Sequence, residues 1–135
     1  SFRCMKRFSK IVSVMCEVPL ARVISANVNG VRVIGAYFPN GQEPGSDKFE
    51  YKLSWLKGLR HWLREELAKH PKLVLMGDYN ITFDDADVWD PVGLQDSIHC
   101  TEEERYELRA LLAMGLHGLL AALAVPAAVA FFRGL

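Results

Sequence analysis

No part of the chain restricts the possible folds more than the segment 73–80, which reads Leu-Val-Leu-Met-Gly-Asp-Tyr-Asn. Its four apolar residues predict a short strand buried on both faces, as in a parallel sheet, and Gly77 predicts a turn directly after it. Ligands commonly bind beyond the carboxyl ends of such strands. Asp78 and Asn80 are therefore candidate site residues, although Asp and Asn also serve turns with no further role.

Composition limits the class of protein. A chain of 135 residues that is 50% hydrophobic can build one core. Its 16 basic and 16 acidic residues cancel, so any contact with nucleic acid must come from a local patch. The three cysteines show no metal-binding spacing and are odd in number, which argues against a zinc site and a disulfide scaffold and favours a cytoplasmic location.

Two strands and a helix are predicted before the buried strand. The segments 22–28 and 31–38 are rich in β-branched residues, and Asn29-Gly30 between them is a strong signal for an antiparallel hairpin. Ser46 or Asp47 can begin a helix that continues to about Lys69, with its charges mostly on the face opposite its leucines. Trp55 and Trp62 on this helix could stack on bases, but core packing is the favoured interpretation.

The segment after Asn80 is acidic. Asp84, Asp85, Asp87 and Asp90 could hold a divalent cation, but they lack the calcium-loop pattern, and a solvated loop is favoured. Further on, the run 101–104 (Thr-Glu-Glu-Glu) is a capping box that begins a second amphipathic helix.

The two ends of the chain have a different character. Basic residues precede a short apolar run at 11–14, and no charge occurs from 110 to 132. The first run is too short for a typical export signal, and the second contains Gly118 and Pro126, so we expect neither export nor a membrane span. Anchoring through residues 110–132 is the less favoured alternative.

Three segments together resemble bacterial exonuclease III, of the endonuclease/exonuclease/phosphatase superfamily. They are Tyr-Phe-Pro-Asn-Gly-Gln at 37–42, Gly-Asp-Tyr-Asn at 77–80 and Asp-Ala-Asp-Val-Trp-Asp-Pro at 85–91. The helix start at 48–53 and the segment 100–105 strengthen the resemblance, which runs from about residue 21 to 116. It implies an α/β fold, namely a partial β-sandwich flanked by helices that amounts to roughly half of the full fold.

The resemblance also implies a function. The family hydrolyses DNA phosphodiesters with Mg²⁺, or with Mn²⁺ as the alternative, beside abasic sites or from 3′ ends of double-stranded DNA. By the family pattern Asp78 orients and deprotonates the attacking water, Asn80 holds the phosphate or assists the metal, and the Tyr37 hydroxyl contacts the phosphate. Asp78 and Asn80 are thus the predicted metal-binding residues, and Tyr37, Asp78 and Asn80 the predicted catalytic residues. No small-molecule cofactor is implied.

The chain also departs from the family. The Gln-Glu-Thr element with the metal-binding glutamate and the C-terminal Asp-His pair are both absent. We therefore expect three regions, an unmatched 1–20, a partial exonuclease III-like domain 21–116 and an apolar unmatched tail 117–135, with little activity from the chain alone. A non-catalytic fragment or interaction module of the same fold is the alternative. An uncovered sheet face or edge would favour self-association.

The tail has a sequence unlike the rest of the chain. It is rich in alanine and leucine and has no charged residue before Arg133, which leads us to hypothesise out-of-frame or foreign sequence joined to an internal fragment. Matching motifs in another reading frame of the neighbouring DNA would support this hypothesis, and their absence would refute it.

Overall fold

A computed structural model of the chain describes residues 12–15, 22–119 and 128–133, with side chains described over 22–116. One mixed sheet of six strands has the order β1-β2-β3-β4-β6-β5. The elements are β1 (Val12–Met15), β2 (Val23–Val28), β3 (Val31–Tyr37), α1 (Asp47–Lys69), β4 (Leu73–Asp78), α2 (Glu102–Leu112), β5 (His117–Leu119) and β6 (Ala128–Arg133).

The predicted hairpin forms β2 and β3. They pair antiparallel, with Val28 opposite Val31, and Asn29 and Gly30 both have positive φ, at 50° and 82°. Two successive positive φ angles are the requirement of a type I′ turn, which matches the twist of the strands on either side. The hairpin prediction is confirmed to within one residue at each strand end.

Helix α1 also forms where it was predicted. Its N-cap is Ser46, whose side chain accepts a hydrogen bond from the Phe49 amide. Trp55 and Trp62 are buried in the core, as the favoured interpretation held. The charges of α1 lie mostly away from the core, as predicted, but Lys52 and Glu66 are buried. Each has a partner of opposite charge on another element, which compensates for its burial.

Strand β4 lies parallel to β3 on one side and antiparallel to β6 on the other. Residues 128–133 therefore supply β4 with a neighbouring strand, so β4 is not an edge of this sheet. Residues 117–119 of the tail form β5, and residues 120–127 and 134–135 lie outside the described residues. The division of the chain at residues 20 and 116 stays a prediction.

Both helices pack on one face of the sheet. The core consists of alternate residues of β3 and β4 with apolar residues from α1 and α2, including Ile34, Leu75, Leu56 and Leu108. The opposite sheet face, which we call the open face, carries Ile24, Val33, Gly35, Val74 and Met76. Ile24 is 63% exposed and Met76 is 41% exposed, although both are large and apolar.

Helix α2 begins with the predicted capping box between Thr101 and Glu104. In the acidic segment, Asp84 and Asp87 cap a short 3₁₀ turn, Asp85–Asp87. No group of three or more His, Cys, Asp or Glu side chains in the described ranges is arranged to hold a metal ion. The described helices also include none with the length and apolar character needed to cross a membrane.

Candidate active site

Tyr37 and Asp78 are brought together by the parallel pairing of β3 and β4. Each is the last residue of its strand, and the two are direct partners in the register. Neighbouring strands lie about 4.8 Å apart, and cross-strand partners project from the same side of a sheet. Ile34 and Leu75, three residues earlier on each strand, point into the core. The phenol and the carboxylate therefore both project on the side of the open face, at its edge.

The turn after β4 presents Asp78 and Asn80 together. Asn80 has a φ of +47°, a left-handed conformation that asparagine tolerates better than most residues. Its backbone amide donates to Asp78 Oδ1 over 3.1 Å. This short-range bond fixes the carboxylate relative to the turn, and Asp78 Oδ2 has no hydrogen-bond partner in the described part of the chain.

The side chain of Asn80 joins this turn to the loop after β3. Its Nδ2 donates to the Phe38 carbonyl over 3.0 Å, so the amide oxygen points away from that bond. The Phe38 amide in turn donates to the Asp78 carbonyl over 2.9 Å. Two hydrogen bonds thus connect the strand ends that carry the three predicted residues Tyr37, Asp78 and Asn80.

Tyr37 itself is half exposed, at 51%. Its ring lies under the guanidinium of Arg22, with the guanidinium carbon 5.3 Å from the ring centroid, and its amide donates to the Arg22 carbonyl. A cation over the face of an aromatic ring is attracted to the ring's electron density. The site edge therefore carries one exposed positive charge beside the phenol.

The chain is similar in sequence to known nucleases. No protein-family model matches the chain. It is 33% identical over 94 residues to the DNA repair nuclease APEX1 of Danio rerio, and 27% identical over 94 residues to an exodeoxyribonuclease of Bacillus subtilis. Both alignments cover 70% of this chain.

Solved structures of a nuclease are also similar to the chain. A 3′-5′ exonuclease of Neisseria meningitidis, NExo, superposes on 89% of the chain with a TM-score of 0.79 and 33% identity. A second structure of NExo from Neisseria, titled a 3′ phosphatase bound to a product DNA hairpin, superposes on 75% of the chain with a TM-score of 0.71 and 44% identity. The chain is a partial match to the exonuclease III-like proteins of the endonuclease/exonuclease/phosphatase superfamily.

The match covers only part of each relative. The chain spans 36% of the Bacillus enzyme, 30% of the Danio enzyme and 57% of the first NExo structure. The expected α/β fold, as a partial segment of the exonuclease III architecture, is confirmed by these superpositions. The described residues supply one sheet of that architecture with two helices on one side.

Three residues that support the turn after β4 were not assigned to the site from the sequence. Lys52 of α1, His99 of the loop before α2, and Glu104 of α2 meet beneath Asn80. Glu104 was recognised only as a helix cap and Lys52 only as part of a helix start. The available signal was the position of Lys52, three residues after Phe49 and four before Leu56 on the apolar stripe of α1.

The residues present fit a hard divalent cation only in part. Asp78 Oδ2 and the side-chain oxygen of Asn80 are oxygen ligands of the kind that Mg²⁺ takes, usually one or two carboxylates with water and substrate phosphate. Asp78 contributes the only carboxylate among the three residues predicted for the site. This donor set suits a weakly held Mg²⁺ or Mn²⁺ and does not suit zinc.

Proposed function

We propose that this chain carries part of the active site of a DNA-repair phosphodiesterase of exonuclease III type. The observation that carries the proposal is the register pairing of Tyr37 with Asp78, which joins the two family segments at one edge of the sheet. The reaction is the hydrolysis of a DNA phosphodiester, at an abasic site or from a 3′ end of duplex DNA. The relatives' names, exodeoxyribonuclease and DNA repair nuclease, support this choice.

The chemistry assigns a role to each residue type. Attack on a phosphodiester needs a deprotonated water and donors for the charge that grows on the phosphate oxygens. Asp78 orients the water and takes its proton through Oδ2, which has no hydrogen-bond partner among the described residues. The Tyr37 hydroxyl and the Asn80 amide contact the phosphate. A Mg²⁺ or Mn²⁺ ion held by Asp78 and Asn80 would neutralise phosphate charge when bound.

Three observations support DNA as the partner and a cytoplasmic location. Arg22 beside Tyr37 supplies a local positive charge for the DNA backbone, which the neutral composition does not. NExo has been solved with a product DNA hairpin, and this favours DNA as the partner. Cys100 is a free thiol, in keeping with a reducing cytoplasmic location.

A nicking assay tests the proposal. We expect the purified chain to cleave a duplex containing one abasic-site analogue far more slowly than the Bacillus exodeoxyribonuclease assayed beside it. The reason is that groups acting as one catalytic unit are not additive, and the chain lacks the metal-binding glutamate and the Asp-His pair of the resemblance. The residual cleavage should require Mg²⁺ and disappear in Asp78→Ala and in EDTA.

Two results of this assay would change the proposal. Cleavage that survives Asp78→Ala would contradict the assigned role of Asp78. A folded chain that neither cleaves nor binds the duplex, as judged by unchanged amide signals of Tyr37 and Asn80, would favour the alternative, a non-catalytic fragment or interaction module of the same fold.

We also propose that the open face mediates self-association. Ile24 and Met76 lie on either side of Gly35 in neighbouring strands, so their exposed side chains form one continuous apolar surface. Such surfaces on soluble domains commonly bind a partner. The proposed partner is a second copy of the chain, since like apolar faces can pack sheet on sheet.

Sedimentation equilibrium checks this prediction. The wild-type chain should be a dimer, and Ile24→Lys with Met76→Lys should make it a monomer, because lysine charges cannot be buried in that interface. Tyr106→Lys is the matched control, since Tyr106 is exposed on α2 away from the open face. A wild-type chain that remains monomeric at high concentration would refute the proposal.

A further inference from the structure

Lys52 has the most unusual environment of any charged residue in the described part of the chain. Its side chain is fully buried. Its Nζ donates to the carbonyl of Asn40, over 3.1 Å, and to the carbonyl of Asn80, over 2.6 Å. It also donates to Oε1 of Glu104, which is fully buried as well. One ammonium group therefore contacts the loop after β3, the turn after β4 and helix α2.

His99 Nδ1 also lies 3.5 Å from Lys52 Nζ. The three contacts with two carbonyls and a carboxylate match the three protons of an ammonium group. Each partner is an acceptor, so an uncharged amine would present a lone pair to one of them. Burial lowers the pKa of Lys52, while Glu104 and Asp78 oppose that shift. Glu104 is held in turn, because its Oε2 accepts hydrogen bonds from the amide and the hydroxyl of Thr101. Its negative charge supplies the compensation that a buried cation requires.

The loop after β3 also packs on the aliphatic part of Lys52. Gly41 has a φ of +87°, and a side chain there would place its first carbon 2.9 Å from Lys52 Cδ. The Gly41 carbonyl accepts a hydrogen bond from Ser46, the N-cap of α1. Lys52 therefore fixes this loop through its stem and through its charged end.

His99 provides a second contact to the same turn. Its Nδ1 is hydrogen-bonded to the Asn80 carbonyl, which can only accept, so Nδ1 carries the proton. Its Nε2 then accepts from the Asn40 side-chain amide, over 3.4 Å. Burial and the nearby charge of Lys52 lower the pKa of His99, which favours this neutral form. Asn80 is thereby held at its carbonyl by Lys52 and His99, and at its side chain by Phe38.

We propose that Lys52 is a positioning residue of this site. Its ammonium group, whose charge is balanced by Glu104, holds the loop at Asn40 and the turn at Asn80 together. It thereby orients Asp78 and Asn80. The expected effect on affinity for the divalent cation and phosphate rests on the proposed function. The claim that Lys52 holds the two loops in place does not depend on that function.

The test removes both charges and keeps the helix cap. In Lys52→Met combined with Glu104→Gln, glutamine still completes the capping box with Thr101, and no unpaired charge remains buried. The matched control is the other buried ion pair, Arg32 with Glu66, at the opposite end of β3, changed to Arg32→Met with Glu66→Gln. Both double variants lose one buried pair, but only the first touches the site.

Two readouts are measured on the folded proteins. Native-state hydrogen exchange is followed at the amides of Gln42 and Thr82, which lie in the two connected segments. Broadening of the Asp78 and Asn80 amide signals is titrated with Mn²⁺. We expect amide hydrogen exchange at Gln42 and Thr82 to be at least about tenfold faster in the Lys52 double variant than in wild type, because the variant loses hydrogen bonds to a charged group. The apparent Mn²⁺ affinity should fall about ten- to hundredfold, and the Arg32 double variant should resemble wild type in both.

Each outcome decides a separate point. Unchanged exchange at Gln42 and Thr82 overturns the proposal, as does an equal change in the Arg32 double variant. If wild type itself shows no Mn²⁺ broadening, the proposed function loses its metal site, while the exchange comparison still decides the role of Lys52. If the Lys52 double variant does not fold, Lys52→Arg replaces it. The planar guanidinium keeps the charge but not the three donor directions, so faster exchange supports the proposal and unchanged exchange overturns it.

Discussion

Replacing Gly77 by alanine is expected to unfold most of the chain. Gly77 has a φ of +147°, which L side chains rarely adopt. An added methyl carbon would lie 1.8 Å from the carbonyl oxygen of Ala36 on the neighbouring strand, and backbone cannot move aside cheaply there. The β3–β4 pairing would have to separate. We expect a loss of more than about 4 kcal/mol in the free energy of unfolding, which approaches the whole stability of many domains.

Urea denaturation followed by circular dichroism measures this loss. Gly45→Ala is the matched control, because Gly45 also has a positive φ, at 81°, but nothing lies within 4 Å of an added methyl group. It should cost only about 1 kcal/mol, the strain of a left-handed alanine. Equal stability of the two variants would show that the close approach of Gly77 to Ala36 is not maintained in solution.

Phe38→Ala is expected to give the second large effect. Phe38 is fully buried directly after β3, with its ring centroid 5.1 Å from that of Trp55 and 4.3 Å from that of Tyr79. Removing the ring leaves a cavity between a helix and the turn that carries Asp78. The expected loss is about 3–5 kcal/mol in the free energy of unfolding.

The same denaturation experiment includes Trp89→Ala as a control. Trp89 is also aromatic, but it is 88% exposed in the acidic loop, so its loss should change the free energy by no more than about 0.5 kcal/mol. A Phe38→Ala variant as stable as Trp89→Ala would contradict the placement of Phe38 in the core. Because the Phe38 carbonyl also accepts from Asn80, we expect the Asn80 signals to shift in this variant.

The elements of secondary structure were predictable because their signals are local. The Asn29-Gly30 turn, the Ser46 cap and the Thr101 capping box each depend on residues a few positions apart. The strand at 73–76 was predictable for the same reason, since four consecutive apolar residues favour a strand. Its predicted burial on both faces is wrong, because Met76 is 41% exposed, and β4 continues through Gly77 to Asp78 where a turn was predicted. The tail strand at residues 128–133 was not anticipated, because alanine-rich text carries no strong preference for a strand.

The site was predictable in part. The three residues assigned to it lie in two short segments, and the resemblance to exonuclease III placed those segments in one function. The resemblance included the segments 48–53 and 100–105, which contain Lys52 and Glu104, but it assigned no role to these two residues. The burial of Lys52 was not predicted. Its position on the apolar stripe of α1 is a local signal, but its partner Glu104 lies far away along the chain.

The sequence alone thus determined β2, β3, β4, the two helices and the polar turn after β4, since each is specified by neighbours along the chain. Only the tertiary structure decided which strand ends meet, because pairing Tyr37 with Asp78 requires α1 to cross over and return the chain parallel to β3. It also decided that Lys52 is buried, 52 positions from its counter-ion Glu104. The physical reason is that burial of a charge depends on a partner of opposite charge, and that partner reaches it only when the chain has folded.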